Sequence, residues 1–216
     1  MSVSKVEVVK ALGEVRAKKE DKNFKQSIDI IVNLKDLDLR NPTNRVNLNV
    51  LLPHGTGKER RVCIFATGDL ALRASRAGVD LVIGNDRLRE LATNRKEAKK
   101  LLNRYDIFLA EASLMPLVGR VAGPILGPKG KMPIPLPPNI DIENVIERQK
   151  RVVLLRSRDK PLVQRIVGVE DMDDEKIAEN IETLLSNLIE SLRKGINNIR
   201  SIYLKTTMGN PIKVSE

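Results

Sequence analysis

The chain has 216 residues, 41% of them apolar, which is enough for one large domain or two small ones with buried cores. Its formal charge of +10 at pH 7 points to a polyanionic partner, nucleic acid ahead of an anionic membrane: no apolar run approaches the ~18 residues of a spanning helix, and no signal-peptide core is present at the N-terminus. One histidine and one cysteine exclude an internal disulfide, a His/Cys metal site and a Cys/His catalytic pair, so a soluble, cytoplasmic protein without a metal or cofactor is expected.

Ser4 and Glu7 form a capping-box pattern, and Val8, Leu12 and Val15 follow at helical spacing, so a helix is predicted to about Lys18. Ile28, Ile30, Val32 and Leu34 then alternate with Asp29, Ile31 and Asn33, predicting a strand with one buried face. Val46, Leu48, Val50 and Leu52 repeat that alternation against Asn47 and Asn49. The two strands are expected to belong to one antiparallel sheet.

From Val62 the pattern changes to short apolar runs separated by helical segments: VCIFA, a helix from Thr67 to Ala77, VDLVIG, one or two helices over 85–105, DIFLAEA, and a short helix over 114–121. Buried strands alternating with helices imply a parallel sheet with helices on its faces. Gly123 to Asn139 follows with six prolines, and neither a helix nor an interior strand is expected to run through it. Lys129 and Lys131 sit at the centre of this loop, where no acidic residue occurs between Gly119 and Ile140, so they are expected to present positive charge. A helix capped by Asp141 and the strand VVLLRS complete this block.

The last segment returns to the first style, with the alternating LVQRIVGV, a helix opened by Asp173 whose stripe is Ile177, Ile181, Leu184, Leu185, Leu188 and Leu192, and a final strand with Ile202 and Leu204 inward. Similar elements at both ends of the chain, separated by an α/β block, predict a discontinuous α/β domain, an antiparallel sheet plus helices, from 1–65 and 156–216. A second domain, 66–155, is inserted in it, and the paired chain crossings between them predict a hinge. Acidic residues from Glu170 to Glu182 cluster at the start of the last helix, an end expected to face away from a polyanion and from Phe24, Arg158 and Met208.

Two short motifs suggest nucleotide chemistry and then fail its requirements. GTGK after the second strand lacks the earlier glycine of a phosphate loop, and Glu59 stands where a magnesium-binding hydroxyl belongs, so Gly55 and Gly57 are read as a turn. ATGD lies between a strand and a helix without G-x-G-x-x-G and is read as a capped βα turn. The rival class, a nucleotide- or small-ligand-dependent enzyme using the inserted block, is therefore disfavoured. Five aromatic residues, with no tryptophan, leave few platforms for stacking single strands, so an RNA partner is expected to be folded and read by shape, phosphates and 2′-hydroxyls.

NFKQSIDI, LMPLVGRVAGPILGPKGKMPIPLP and LKTTMGNP, with LPHGTGK and RDKP between them, occur in this order and together resemble the L-one family of large-subunit ribosomal proteins in its archaeal and eukaryotic-like form. The resemblance implies a split α/β domain that grips ribosomal RNA and an inserted Rossmann-like three-layer α/β domain. It also implies a non-catalytic protein of the mobile stalk beside the ribosome's exit site, helping deacylated tRNA leave and repressing its own messenger RNA, and monomeric when free. By resemblance the RNA-binding residues are Phe24, Lys25, Ser27, Asp29, Thr206, Thr207, Met208 and Gly209, and Arg158 joins them as the loop-end residue grouped above with Phe24 and Met208. Lys129 and Lys131 are a candidate second RNA contact.

Overall fold

The computed structural model describes residues 5–18, 23–137, 140–157 and 160–214. Among these, elements follow in the order α1 (Lys5–Ala17), β1 (Ser27–Leu34), β2 (Asn47–Leu51), β3 (Val62–Phe65), α2 (Gly68–Arg76), β4 (Leu81–Ile83), α3 (Asn85–Thr93) and α4 (Arg95–Leu102). Then come β5 (Ile107–Glu111), α5 (Met115–Val121), α6 (Gly123–Leu126), β6 (Ile134–Leu136) and α7 (Ile142–Arg151). The chain ends with β7 (Val152–Arg156), β8 (Leu162–Val169), α8 (Asp174–Ser191), β9 (Ile199–Thr206) and β10 (Ile212–Lys213). Two compact units result, Met1–Lys58 with Arg151–Glu216, and Glu59–Lys150.

The first unit is built on an antiparallel sheet in the order β10-β9-β1-β8, so both ends of the chain supply its central strands. The period-2 alternation in β1 is realised in burial: Ile28, Ile30, Val32 and Leu34 are buried, while Asp29, Ile31 and Asn33 remain partly exposed. That buried row joins Val8, Leu12 and Val15 of α1 and Ile177, Ile181, Leu184 and Leu188 of α8 in one core. Glycine at 168 lets α8 lie close to β8, since a Cβ there would meet Ile177 Cγ1 at 2.8 Å.

β2 does not join β1, as its alternation suggested. It pairs antiparallel with β7 in a separate two-stranded sheet, Asn47 opposite Arg156 through Leu51 opposite Val152. Period 2 specifies which face is buried but not which strand is the neighbour. The same pairing moves the unit boundaries to 58/59 and 150/151, ahead of the expected 65/66 and 155/156, because VVLLRS packs Val153 and Leu155 into the first core.

In the second unit the parallel sheet has the order β4-β3-β5-β6. Successive residues of β3 point to opposite faces: Val62 and Ile64 pack with Leu70, Ala74, Ile142 and Ile146 of α2 and α7. Cys63 and Phe65 pack with Leu88, Leu91, Ala98, Leu102 and Val118 of α3, α4 and α5. Two apolar layers around one sheet give the three-layer α/β arrangement. Cys63 is buried, and burial pushes its thiol up to about 12, so it acts as a packed apolar group.

The proline-rich stretch is more regular than its composition suggested. Pro124 starts the single turn α6, where a missing N–H costs nothing, and Pro133 and Pro135 flank and occupy the edge strand β6, whose outer side needs no donor. Pro138 and Asn139 lie outside the described residues, as does Ser4 of the predicted capping box.

Candidate nucleic-acid interface

The start of β1 and the end of β9 come together at one end of the antiparallel sheet, with Ile28 opposite Thr206. The segment after β9 is pinned to Gln26 and Ser27, with Thr207 Oγ1–H also donating to the Ser27 carbonyl at 3.3 Å. Thr207 N–H donates to the Ser27 carbonyl at 3.0 Å, Ser27 N–H to Thr207 Oγ1 at 3.1 Å, and Met208 N–H to Gln26 Oε1 at 3.1 Å. Gln26 is only 1% exposed, and its carbonyl also accepts from Glu170 N–H. A buried side-chain amide holding a surface turn is a positioning group that period and charge could not single out.

This clamp divides the predicted site residues into two kinds. Ser27 and Thr206 are buried, at 5% and 2% exposure, and shape the turn rather than present hydroxyls. Gly209 has an internal reason for lacking a side chain: a Cβ there would lie 2.3 Å from Thr206 Oγ1. Phe24 and Met208 are 51% and 60% exposed, and Lys25 and Thr207 are exposed beside them. An apolar ring and a thioether are thus left in water on a well-bonded backbone. The other phenylalanines, Phe65 and Phe108, stack in the second unit's core with ring centroids 6.3 Å apart.

Asp29 lies on the sheet face not covered by α1 and α8, opposite Lys205 of β9. Its carboxyl is pushed up by burial, against the opposing pull of Lys205, Lys58 and a Gln164 bond. Lys205, Lys58 and Gln164 therefore extend the charged surface, and the cross-strand register that brings them there is not readable from the sequence. A register shift between Ile28 and Asp29 in the pairing with β8 marks a bulge at this point. Arg158 lies outside the described residues.

The acidic start of α8 does not face away from this surface. Lys25 Nζ is ion-paired with Asp171, which raises the pKa of the lysine, chiefly through that bond. The reason is topological: Ser27 pairs with Val169, so the β8–α8 loop must emerge beside residues 24–26.

Lys129 and Lys131 belong to the second unit and are tied to the end of α4. Lys129 Nζ donates to Asn103 Oδ1, and Lys131 Nζ donates to the Tyr105 carbonyl and to Asp106 Oδ1, each at 2.9 Å. The loop contains no acid, but Asp106 offsets Lys131 from outside it.

Both nucleotide-like motifs are closed by protein groups. In GTGK, Gly55 and Gly57 have φ of 62° and 67°, and a Cβ on Gly57 would meet Val169 Cγ2 at 2.7 Å. Asn180 of α8 receives the His54 N–H at 3.1 Å and donates to the Gly55 and Val167 carbonyls at 2.7 and 2.9 Å, fixing the turn against the helix. In ATGD, Thr67 N–H and Oγ1–H both donate to Glu111 Oε2 at 3.0 Å. The Ser113 hydroxyl and the Thr67 amide hold the Glu111 carboxyl below the usual carboxylate range. A carboxylate of the chain thus holds the residue before α2, beside the β3/β5 switch point of the sheet.

The described residues thus form a split antiparallel unit with an exposed end carrying Phe24, Lys25 and Met208, and a three-layer α/β unit inserted in its sequence. Comparison with known sequences gives the family. The profile of the ribosomal protein L1p/L10e family matches residues 15–210. The chain is 49% identical over 208 residues to the large ribosomal subunit protein uL1 of Methanothermobacter thermautotrophicus, covering 96% of this chain and 98% of that protein. It is 45% identical to the uL1 of Pyrococcus horikoshii, covering 99% and 98%, and 43% identical to that of Thermococcus kodakarensis, covering 99% of each. The chain belongs to the ribosomal protein L1p/L10e family. Membership of a ribosomal protein family places it on the ribosome, in the cytoplasm.

Proposed function

We propose that the chain is a structural component of the large ribosomal subunit that binds rRNA through the sheet end carrying Phe24, Lys25, Thr207 and Met208. The observation that carries this reading is the exposure of Phe24 and Met208 on a turn pinned by Gln26 and Thr207. A preorganised surface of this kind loses little entropy on binding, and one ring beside one lysine can stack a base and neutralise a phosphate. Asp29, with Lys205 and Lys58 around it, offers an acceptor for a 2′-hydroxyl or base amine at the edge of the same surface. Arg158 is assigned to this surface by the sequence reading that groups its loop end with Phe24 and Met208.

The finer role follows the family resemblance: the rRNA complex forms the mobile stalk beside the exit site and assists departure of deacylated tRNA. The same surface, recognising a similar fold in its own messenger RNA, represses translation. Recognition by shape is consistent with the scarcity of exposed aromatic side chains.

The test is binding of the full chain to a transcribed large-subunit rRNA stalk fragment and to a scrambled RNA of equal length. Phe24→Ala and Met208→Ala are each expected to weaken stalk binding by about tenfold, the scale of one lost stacking contact, while leaving the melting temperature unchanged. Wild-type affinity in both variants, or equal affinity of the wild type for both RNAs, would overturn the reading.

A further inference from the structure

The acidic loop between β8 and α8 is built, not merely adjacent. Arg16 of α1 donates from Nε to Asp174 Oδ1 at 2.7 Å and from its terminal nitrogens to the carbonyls of Glu170 and Met172. Met172 packs against the core and under Gly57, where a Cβ would lie 2.8 Å from its sulfur. Glu170 N–H is bonded to the Gln26 carbonyl, the same residue whose side chain holds Met208. The loop and the proposed RNA surface therefore share one anchor, and the backbone bracing on either side of Asp171 brings its carboxylate to Lys25 at the edge of that surface.

An anionic group in that position has no use in attracting RNA. The Lys25–Asp171 pair is solvent-exposed, with side chains 62% and 56% accessible, and such pairs contribute little to folding stability. A braced carboxylate with little stabilising role, set at the margin of a polyanion-binding surface, fits a device of rejection. We propose that Asp171 is a specificity-determining residue: it repels RNA whose backbone runs straight past Lys25 and admits RNA whose backbone turns away there. A regular duplex carries phosphates at closely spaced intervals along its whole length and cannot avoid the carboxylate. A folded RNA with a sharp backbone turn can. This inference rests on the rRNA-binding reading above and concerns which RNAs that surface refuses.

The test compares the full-length wild type with Asp171→Asn and Asp171→Glu in binding the transcribed stalk fragment and a regular RNA duplex of equal length, over a salt series. Asp171→Asn is expected to tighten duplex binding about threefold at low salt, the scale of one screened charge a few ångströms from a phosphate, with the gain vanishing at high salt. Stalk binding is expected to change by less than about twofold on the same scale, and Asp171→Glu is expected to keep the wild-type preference. Equal gains for both RNAs would show general attraction and overturn the proposal, as would no gain for either. A wild type that binds stalk and duplex alike would instead remove the rRNA-binding reading, and the proposal with it.

Discussion

At the residue scale, burial and charge pull in opposite directions at Asp29. Its alternation in β1 assigns it to the face away from the core, yet neighbours on β8 and β9 cover it enough that desolvation dominates and raises its carboxyl pKa over the opposing lysines Lys205 and Lys58. A raised carboxyl pKa means the folded state holds a proton more readily than the unfolded state. The ionised group therefore costs stability above the folded pKa, and the cost disappears as the pH falls through it. Asp29→Asn is expected to melt about 1–3 °C higher than the wild type at pH 7, with the difference closing as the pH falls through the acid range, by calorimetry at several pH values.

At the element scale, the turn after β2 depends on one side chain in α8. Asn180 is 0% exposed and bonds to backbone groups of His54, Gly55 and Val167, linking the GTGK turn, the helix and β8. Removing it would take this partner from the part-buried His54 N–H and from the Gly55 and Val167 carbonyls, whose bonds to it are buried. Asn180→Ala is expected to destabilise the chain by about 3 kcal/mol, measured by urea denaturation, and Asn180→Leu to do no better, since restoring volume does not restore the bonds. The sequence showed this turn as two glycines after a strand. It did not show Asn180, because a polar residue within the helix's apolar stripe has no periodic signature beyond breaking it. The strand pairings divide the same way: β1 and β9 were visible as half-buried strands, but alternation alone did not show that β2 pairs with β7 in a sheet of its own.

At the scale of the whole molecule, the two units have separate cores. Every buried residue of the first core lies within 8–52 or 153–214, and every one in the two layers of the second lies within 62–146. Neither core borrows a buried residue from the other unit. A chain in which residues 59–150 are replaced by a short glycine-serine linker is therefore expected to unfold in one cooperative transition and to retain stalk-fragment binding within about tenfold. Loss of cooperative melting would show that the first unit requires its insert. Retained folding with lost selectivity for the stalk fragment over scrambled RNA would move recognition to the second unit.

The sequence by itself determined the class of most segments: half-buried strands where apolar residues alternate, fully buried strands where they run together, and a basic chain with one histidine and one cysteine. It also determined the family, because five motifs in fixed order are far more specific than any one of them. Only the tertiary structure decided that Ser27 and Thr206 are buried while Phe24 and Met208 face water, that Asp171 meets Lys25, and that Glu111 bonds to Thr67 ahead of α2. The physical reason is the same in each case. Burial periodicity is a local property of a strand or helix, whereas a hydrogen bond or ion pair between residues far apart in sequence depends on strand order and register, which are settled only when all the apolar faces find a common core.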